Sequence, residues 1–350
     1  MEVSALPVAS SHKEKLISAG YTTLLSIIGV SASRLAQELI IPHCEAMDII
    51  KITLNCSRAM GLEGTHALLK GARTAWEMLS DEQNLKHIST GCEDFDGILG
   101  GGIHCGEVTE VGGVPGIGKT QLGIQLAVNV QIPVSYGGLG AKAIYIDTEG
   151  SFMPERAYQI AEACIMDIWE NLVFPHKDNK DCQERMQPDH FLSNILYFRI
   201  CSYTEQIAVI NYLDKFLEEH KDVKIVIIDS ISFHFRQDFK EMVQRTIVLN
   251  EMSRLLMKVA KRFSVAVLLL NHVTAKHTEG QFQLTLALGD TWSHSCTNRI
   301  ILYWDGDERH ARIEKSPYLP SASAPFSVTN KGIRDAVSHC KRARMMYNRY

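Results

Sequence analysis

Residues 113–120 read Gly113-Val114-Pro115-Gly116-Ile117-Gly118-Lys119-Thr120. Two glycines bracket four residues and are followed by Lys-Thr, which is the pattern of a phosphate-binding loop. A strand is predicted before the loop by Glu107–Val111 and a helix after it by Gln121–Ala127. Glycines let successive backbone N–H groups face one anion at the start of a helix. The strand–loop–helix order therefore predicts a nucleoside triphosphate site, against the alternative of a glycine-rich turn that matches by chance.

The residue types in this loop predict its contacts. Lys119 would reach the β- and γ-phosphates and contribute to catalysis, and the Thr120 hydroxyl would bind Mg²⁺. ATP and Mg²⁺ are therefore the expected cofactors. The predicted nucleotide-binding residues of this segment are Gly113, Val114, Pro115, Gly116, Ile117, Gly118, Lys119, Thr120 and Gln121.

Two later apolar runs end in acidic residues. Asp229 follows the run Ile225–Ile228, and a carboxylate at the end of a strand beside the phosphate loop can hold Mg²⁺. Glu149 comes soon after the run Ala143–Ile146 and is placed to orient or deprotonate an attacking water. The alternatives are a core strand that merely ends in Asp and, for Glu149, a helix cap. Pairing with the phosphate loop favours a metal ligand at Asp229 and a catalytic carboxylate at Glu149.

Composition limits the classes of protein that fit. The 350 residues are 45% hydrophobic, enough for one large core and a small second domain. The net charge of −4 gives no overall basic field, so any DNA surface must be local. The nine cysteines are odd in number and show no paired short spacing, which argues against a disulfide framework and a zinc cluster. With no signal peptide and no apolar run long enough to span a bilayer, we expect a soluble intracellular protein with reduced thiols.

The chain is predicted to have three parts. Residues 1–58 contain short amphipathic segments typical of a small all-helical domain, whose first helix would start with the capping box Ser11–Glu14. Residues 59–89 are predicted to be a linker with an apolar partner or oligomerisation segment around Ala75–Leu79. Residues 90–350 alternate apolar runs with amphipathic helices, which predicts an α/β core with a mostly parallel sheet.

Several of these motifs together resemble the RecA-family strand-exchange recombinases of the eukaryotic Rad type. The segments that carry the resemblance are Thr90-Gly91, Phe95-Asp96, Ile98–Ile103, the phosphate loop, Asp147–Phe152 and Pro154–Arg156. The match runs over nearly the whole chain, and Val130–Pro133, Phe152-Met153 and Lys315–Pro317 are similar to the accessory paralogues of the family. The resemblance implies an α/β fold with a RecA-like P-loop ATPase core and a small all-helical N-terminal domain.

The resemblance also implies roles around the nucleotide. Arg156 would stack on the adenine ring. His294 matches a histidine that senses the neighbouring subunit's nucleotide in filaments. Lys315 lies in the loop that caps ATP across a subunit interface, unless it is an ordinary surface lysine. His272 stands where the family usually has the glutamine that links the γ-phosphate to a DNA loop, and a histidine can still donate a hydrogen bond there.

Two segments match the DNA-binding loops of the family. Residues 230–239 align with the first loop and residues 273–288 with the second, and both are expected to be irregular. The basic residues that could meet DNA phosphates, if they are not merely solvated surface charges, are Arg236, Lys240, Arg245 and Lys276.

The chain departs from the principal recombinases in two places. Those proteins polymerise through a phenylalanine three residues before an alanine. Here Ala72-Arg73-Thr74-Ala75 keeps the alanine and lacks the aromatic, so self-assembly should be weak. Trp76 could substitute, or a partner's segment could dock on this core. In the N-terminal domain Ile40-Ile41-Pro42 stands where a glycine would let amides approach a phosphate, which argues against DNA binding by that domain.

These features predict a DNA-binding ATPase that acts as an accessory paralogue, or mediator, in homologous-recombination repair, with ATP at subunit interfaces. The expected partners are single- or double-stranded DNA, other recombinase paralogues in a hetero-oligomer and the principal recombinase filament, with no membrane. The basic cluster Lys341–Arg344 is compatible with a nuclear signal, so we expect the nucleus and also the cytoplasm. Two alternatives stay open: a non-hydrolysing ATP-binding scaffold that assembles repair paralogues, and a metabolic P-loop kinase.

Overall fold

The computed structural model of the chain describes residues 2–27, 30, 32–59, 75–76, 86–171, 186–237, 241–278 and 281–336. Its contacts divide the chain into two units, Met1–Asn84 and Leu85–Tyr350. Among the described residues, no helix has both the length and the apolar character needed to cross a membrane. The seven cysteines within these ranges have free thiols.

The first unit is a small bundle of helices. Its helices are α1 (Ser10–Ser18), α2 (Leu24–Ile27), α3 (Ala32–Leu39) and α4 (His43–Ala59). Leu16, Leu24, Leu35 and Ile49 are among the buried side chains that form its core. The predicted capping box is wrong, because α1 begins at Ser10 after Ala9, which makes no side-chain cap.

Ile40 follows α3 in an unusual backbone conformation. Its φ is +52°, in the left-handed region that β-branched residues rarely adopt. The residue is 87% exposed, so little packing is available to offset the strain. The turn thus keeps a glycine-like backbone at a position where the sequence has isoleucine.

The second unit starts earlier than the sequence predicted. β1 (His87–Ile88) pairs antiparallel with β2 (Ile103–His104), so residues 87–89 belong to the core and not to the linker. Gly102 makes this pairing possible, since a Cβ there would lie 2.2 Å from the carbonyl oxygen of Ile88. The predicted linker residues 60–74 and 77–85 lie outside the described part of the chain, and Trp76 is 77% exposed.

A large, mostly parallel sheet forms the centre of the second unit. Its strands are β3 (Val108–Gly113), β4 (Lys142–Asp147), β5 (Ile195–Arg199), β6 (Val223–Asp229), β7 (Ala266–Thr278), β8 (Gln281–Leu286), β9 (Asn298–Asp305), β10 (Glu308–Lys315), β11 (Ser323–Thr329) and β12 (Gly332–Arg334). They are ordered β12-β11-β10-β9-β3-β7-β6-β4-β5, and β8 pairs with β7. The run from β9 to β5 is parallel, whereas β10, β11, β12 and β8 pair antiparallel. The predicted α/β fold class is confirmed.

Helices cover both faces of the sheet. They are α5 (Glu93–Ile98), α6 (Lys119–Asn129), α7 (Pro154–Asn171), α8 (Pro188–Ser193), α9 (Tyr203–Glu219), α10 (Phe233–Gln237), α11 (Met242–Phe263) and α12 (Asp290–Ser293). Alternate residues of β6 enter two separate apolar clusters: Ile225 and Ile227 pack with α6 and α7, and Val226 and Ile228 pack with α9 and α11. Because β3, β4, β6 and β7 run parallel, the loops after their carboxyl ends converge at one edge of the sheet.

Candidate functional site

The predicted phosphate-binding loop has the expected strand–loop–helix geometry. It connects β3 to α6, and Gly116 and Gly118 adopt φ values of +77° and +116°, which only glycine takes easily. Lys119 opens α6 and is only 9% exposed. Its Nζ donates to the carbonyl oxygens of Gly113 at 2.9 Å and Val114 at 3.1 Å, and burial lowers the pKa of Lys119. The loop therefore holds a buried ammonium group that is bonded only to uncharged carbonyl oxygens among the described residues. Such a group would attract an anion.

Asp229 lies at the end of β6 beside this loop. Its Oδ2 accepts from the Thr120 hydroxyl at 2.7 Å and from the Tyr145 hydroxyl at 2.9 Å. Burial raises the pKa of Asp229, although both hydroxyl groups act in the opposite sense. A carboxylate buried in this way is stabilised by a cation, which fits a hydrated Mg²⁺ next to Thr120. Tyr145 was not predicted, because a tyrosine within an apolar strand also fits a core position.

Glu149 follows β4 and is held by two donors. Its Oε1 accepts from the Ser230 hydroxyl and from His272 Nε2, both at 2.6 Å. The hydrogen bond from His272 is the main reason that the pKa of Glu149 is lowered. His272 therefore directly contacts the predicted catalytic carboxylate.

Asp147 builds the turn that carries Glu149. Its Oδ1 accepts from the backbone N–H of Glu149, Gly150 and Ser151, at 2.7–3.2 Å. Its Oδ2 accepts from the N–H of Phe152 at 3.0 Å. Sequence reasoning gave Asp147 no role, although an Asp two residues before Glu149 is a recognisable signal for a turn of this type.

Arg156 joins the phosphate-loop helix to the last strands of the sheet. Its Nε donates to Gln121 Oε1 at 2.7 Å, and its terminal nitrogens donate to the carbonyl oxygens of Thr329 at 2.5 Å and Asn330 at 2.6 Å. One turn along α6 from Gln121, Gln125 Oε1 accepts from the backbone N–H of Ile333 at 2.9 Å. These contacts fix the guanidinium plane beside the helix that starts at Lys119.

His294 and Lys315 lie in one part of the molecule. His294 is an exposed residue directly after α12. Lys315 Nζ donates to the carbonyl oxygens of Ser293 at 3.0 Å and Cys296 at 2.9 Å. Lys315 was predicted to lie in a loop, and it is instead the last residue of β10, where it is bonded to the turn that carries His294.

The two predicted DNA-binding loops are more regular than expected. Residues 230–237 include the short helix α10, and the second segment forms a β-hairpin in which Val273 pairs with Leu286. The irregular-loop prediction was wrong for the hairpin because residues 273–278 and 281–286 include three threonines, a valine and a phenylalanine, which are residue types enriched in strands.

The basic residues of these segments are only partly described. Arg236 is exposed on α10, and Arg245 lies on α11. Burial and the charge of Arg236 lower the pKa of Arg245, whose buried Nε has no hydrogen-bond partner among the described residues. Two neighbouring guanidinium groups of this kind suit an anion. Lys240 lies outside the described residues, and of Lys276 only the backbone on β7 is described.

Comparison with known proteins gives consistent matches. The sequence model of the Rad51 family matches residues 81–186 and 180–336. The chain is 39% identical over 338 residues to the DNA repair protein RAD51 homolog 3 of Cricetulus griseus, covering 96% of this chain and 92% of that protein. It is 40% identical over 253 residues to the RAD51 homolog 3 of Dictyostelium discoideum, covering 71% and 65% of the two chains. It is also 33% identical over 340 residues to the DNA repair and recombination protein RadA of Aeropyrum pernix, covering 95% and 97%.

Proposed function

Because the chain belongs to the Rad51 family, among its paralogues of the RAD51 homolog 3 type, we propose that it is a DNA-dependent ATPase that serves as an accessory mediator in recombinational DNA repair. It binds ATP with Mg²⁺ at an interface with other recombinase paralogues. It acts in the nucleus, where its DNA substrate is located.

The observation that carries this proposal is the meeting of four side chains at the carboxyl ends of three different strands. Lys119 and Thr120 follow β3, Glu149 follows β4, and Asp229 ends β6. The charges of Asp229 and Glu149 both act on the pKa of Lys119, so the three groups lie within electrostatic reach of one another. A buried lysine, a buried carboxylate with a raised pKa and a second carboxylate fit a magnesium–nucleotide complex.

Each residue has a defined part in binding. Lys119 and the loop N–H groups hold phosphate oxygens, and Thr120 with Asp229 holds the metal. When bound, Mg²⁺ neutralises charge on the phosphates. Arg156, already fixed by Gln121 and the carbonyl groups of β11 and its turn, offers a planar cation to the adenine ring.

Glu149 orients the attacking water and accepts its proton. Its lowered pKa keeps the carboxylate charged but makes it a weak base. Because Ser230 and His272 both occupy Oε1, the second oxygen is the one that faces a water. We therefore expect slow turnover that rises when DNA at the β7–β8 hairpin moves His272 away from Glu149.

DNA binding is proposed for the adjacent loops. Arg236 and Arg245 form a local cationic pair, and the hairpin that follows His272 extends from the same edge of the sheet. Because the chain has a net charge of −4, a DNA phosphate would be attracted by a local cationic pair of this kind and not by the overall charge of the protein.

Partner binding is proposed from two exposed features. β5 is the outer strand at one side of the sheet, and Tyr197 on it is half-exposed. An edge strand offers unpaired backbone groups to an extended segment of another paralogue. The exposed Trp76 is the corresponding anchor that this chain offers to a partner.

The experiment is ATP hydrolysis by the purified protein, with and without single-stranded DNA at low salt. We expect DNA to stimulate turnover, and Glu149→Gln to reduce it by about 10²-fold or more while ATP still binds. Glu155→Gln is the matched control, since Glu155 is an exposed acid on the first turn of α7.

The second candidate is a scaffold that binds ATP without hydrolysing it. It is favoured by the two hydrogen bonds that already occupy Glu149 Oε1. Tight ATP binding with no turnover, and no difference between the wild type and Glu149→Gln, would support the scaffold and contradict the ATPase.

A further inference from the structure

Glu110 is a completely buried carboxylate on β3, three residues before the phosphate-binding loop begins. Its Oε1 accepts from Asn271 Nδ2 at 2.6 Å and from the Trp292 indole N–H at 3.0 Å. Its Oε2 accepts from Arg299 Nε at 2.7 Å. The three donors come from β7, α12 and β9, so one charge connects three elements other than its own.

Asn271 leads from Glu110 to the catalytic carboxylate. Its Oδ1 accepts from the backbone N–H of His272 at 2.7 Å, and His272 in turn bonds Glu149. Its Nδ2 also donates to the carbonyl oxygen of Ala287 at 3.0 Å, at the foot of the β7–β8 hairpin. With both ends of its amide engaged, Asn271 cannot rotate without moving His272.

Trp292 connects Glu110 to the turn that carries His294, the residue predicted to sense a neighbouring subunit's nucleotide. It is 1% exposed and lies two residues before His294 on the short helix α12. The carbonyl oxygens on either side of His294, those of Ser293 and Cys296, accept from Lys315. A displacement of this turn would therefore move the indole N–H and change its hydrogen bond to Glu110.

We propose that Glu110, Asn271 and Trp292 form a relay that couples the turn carrying His294 to the His272–Glu149 pair. The relay rests on the proposed function, because it joins the chain's own ATP site to the turn that would face a neighbour's nucleotide. Hydrogen bonds to a buried charge are roughly twice as strong as neutral ones, so the relay transmits displacement rather than absorbing it. Glu110 and Trp292 are positioning residues that act through His272 and His294.

Trp292→Phe tests the relay because it removes the indole N–H and keeps an aromatic ring in the core. Hydrogen–deuterium exchange is measured with and without a non-hydrolysable ATP analogue. In the wild type we expect the analogue to protect the peptide spanning residues 290–297. In Trp292→Phe that nucleotide-dependent protection is lost, while the affinity for the analogue stays within about twofold because the variant leaves the phosphate loop intact.

Trp304→Phe, an exposed tryptophan at the end of β9, is the matched control and keeps the protection. A purely structural role for Trp292 would instead raise exchange equally with and without the analogue. That result, or full retention of the protection in Trp292→Phe, would overturn the relay. The exchange measurement needs no hydrolysis, so it remains decisive if the proposed ATPase activity fails.

A second test uses turnover. We expect Trp292→Phe to raise the kcat measured without DNA about fivefold with an unchanged affinity for ATP, because a less firmly held His272 releases Glu149. The substitution should have no further effect in a His272→Ala background. Independent, additive changes in the double variant, or a lower kcat in Trp292→Phe, would show that Trp292 does not act through His272 in this way. If Trp292→Phe unfolds, Glu110→Gln is used instead, because it keeps the side-chain volume and removes the charge. It is measured alone and together with His272→Ala in the same way.

Discussion

At the scale of single residues, the environment of each charged group in the site determines how it responds to ligand. Asp222 immediately precedes β6 and Asp229 is its last residue, and the pKa values of the two aspartates shift in opposite directions. Burial raises the pKa of Asp229, whereas a hydrogen bond from Lys142 lowers the pKa of Asp222. The charged form of Asp229 is therefore unfavourable in the absence of a cation, and that of Asp222 is favourable.

Asp229→Asn should raise the melting temperature of the nucleotide-free protein and abolish the further rise caused by Mg²⁺ and ATP. Because burial raises the pKa of Asp229 in the folded state, the charged carboxylate destabilises the fold at neutral pH and its removal relieves that penalty. Each kcal/mol gained would raise the melting temperature by about 2–4 °C. Thermal unfolding with and without Mg²⁺–ATP is the measurement. Asp222→Asn is the control and should lower the melting temperature while keeping the ligand effect. A variant at Asp229 that still responds fully to Mg²⁺–ATP would contradict the metal assignment.

Lys119 gives the site a pH dependence at the alkaline end. Burial lowers its pKa below 10.5, so between the lowered value and 10.5 the ammonium group loses its proton in the nucleotide-free fold but not in the unfolded chain. Phosphate binding requires the charged form. The affinity for ATP should therefore fall as pH rises through this window, measured by fluorescence titration from about pH 7 to about pH 10. In Lys119→Arg the side chain stays charged over this pH range, so the variant's affinity for ATP, whatever its absolute value, should not change with pH. A parallel fall of the affinity in the variant and the wild type would exclude Lys119 as the cause.

At the scale of elements, the turn after α3 stores strain at Ile40. A β-branched residue at a φ of +52° costs about 1–2 kcal/mol, and a largely exposed side chain offsets little of that cost. Ile40→Gly should therefore stabilise the helical unit by about 1 kcal/mol.

The matched control for this prediction is Ile17→Gly, because Ile17 is a half-exposed isoleucine in the last turn of α1. There glycine should destabilise the helix by about 0.5 kcal/mol, less than in a helix interior. Chemical denaturation followed by circular dichroism measures both variants. Destabilisation of the same size by the two substitutions would show that Ile40 is not strained.

Sequence reasoning predicted positions best where a motif fixes the spacing of its residues. Lys119, Thr120, Asp229 and Glu149 were predicted from strand ends and loop spacing, and the structure brings them together. The prediction failed where neighbours in space decide the outcome. Nothing local in the sequence connects Glu110 with Trp292. Residues 273–278 pair with residues 281–286 because strand pairing prevails over the irregular loop that the family resemblance implied.

At the scale of the whole molecule, a net negative charge restricts how DNA can bind. If about four basic side chains contact single-stranded phosphates, the logarithm of the DNA-binding constant should fall with the logarithm of salt concentration with a slope of about −3. Arg236→Ala should reduce that slope by about 0.7. Lys51→Ala, at an exposed position of the helical unit, should leave it unchanged. Fluorescence anisotropy at several salt concentrations gives the slopes, and an unaltered slope in Arg236→Ala would remove that residue from the DNA interface.

The contacts of β11 and β12 with Arg156 and Gln125 have a consequence for how the protein is made. Thr329, Asn330 and Ile333 are the partners that orient Arg156 and the phosphate-loop helix, although more than 150 residues of sequence separate them from both. During synthesis the phosphate loop leaves the ribosome long before these partners exist. A nascent chain, or one cut short by a premature stop codon before Thr329, carries the complete phosphate-loop motif without the strands that orient it. We expect the cell's quality control to recognise such a chain as incompletely folded.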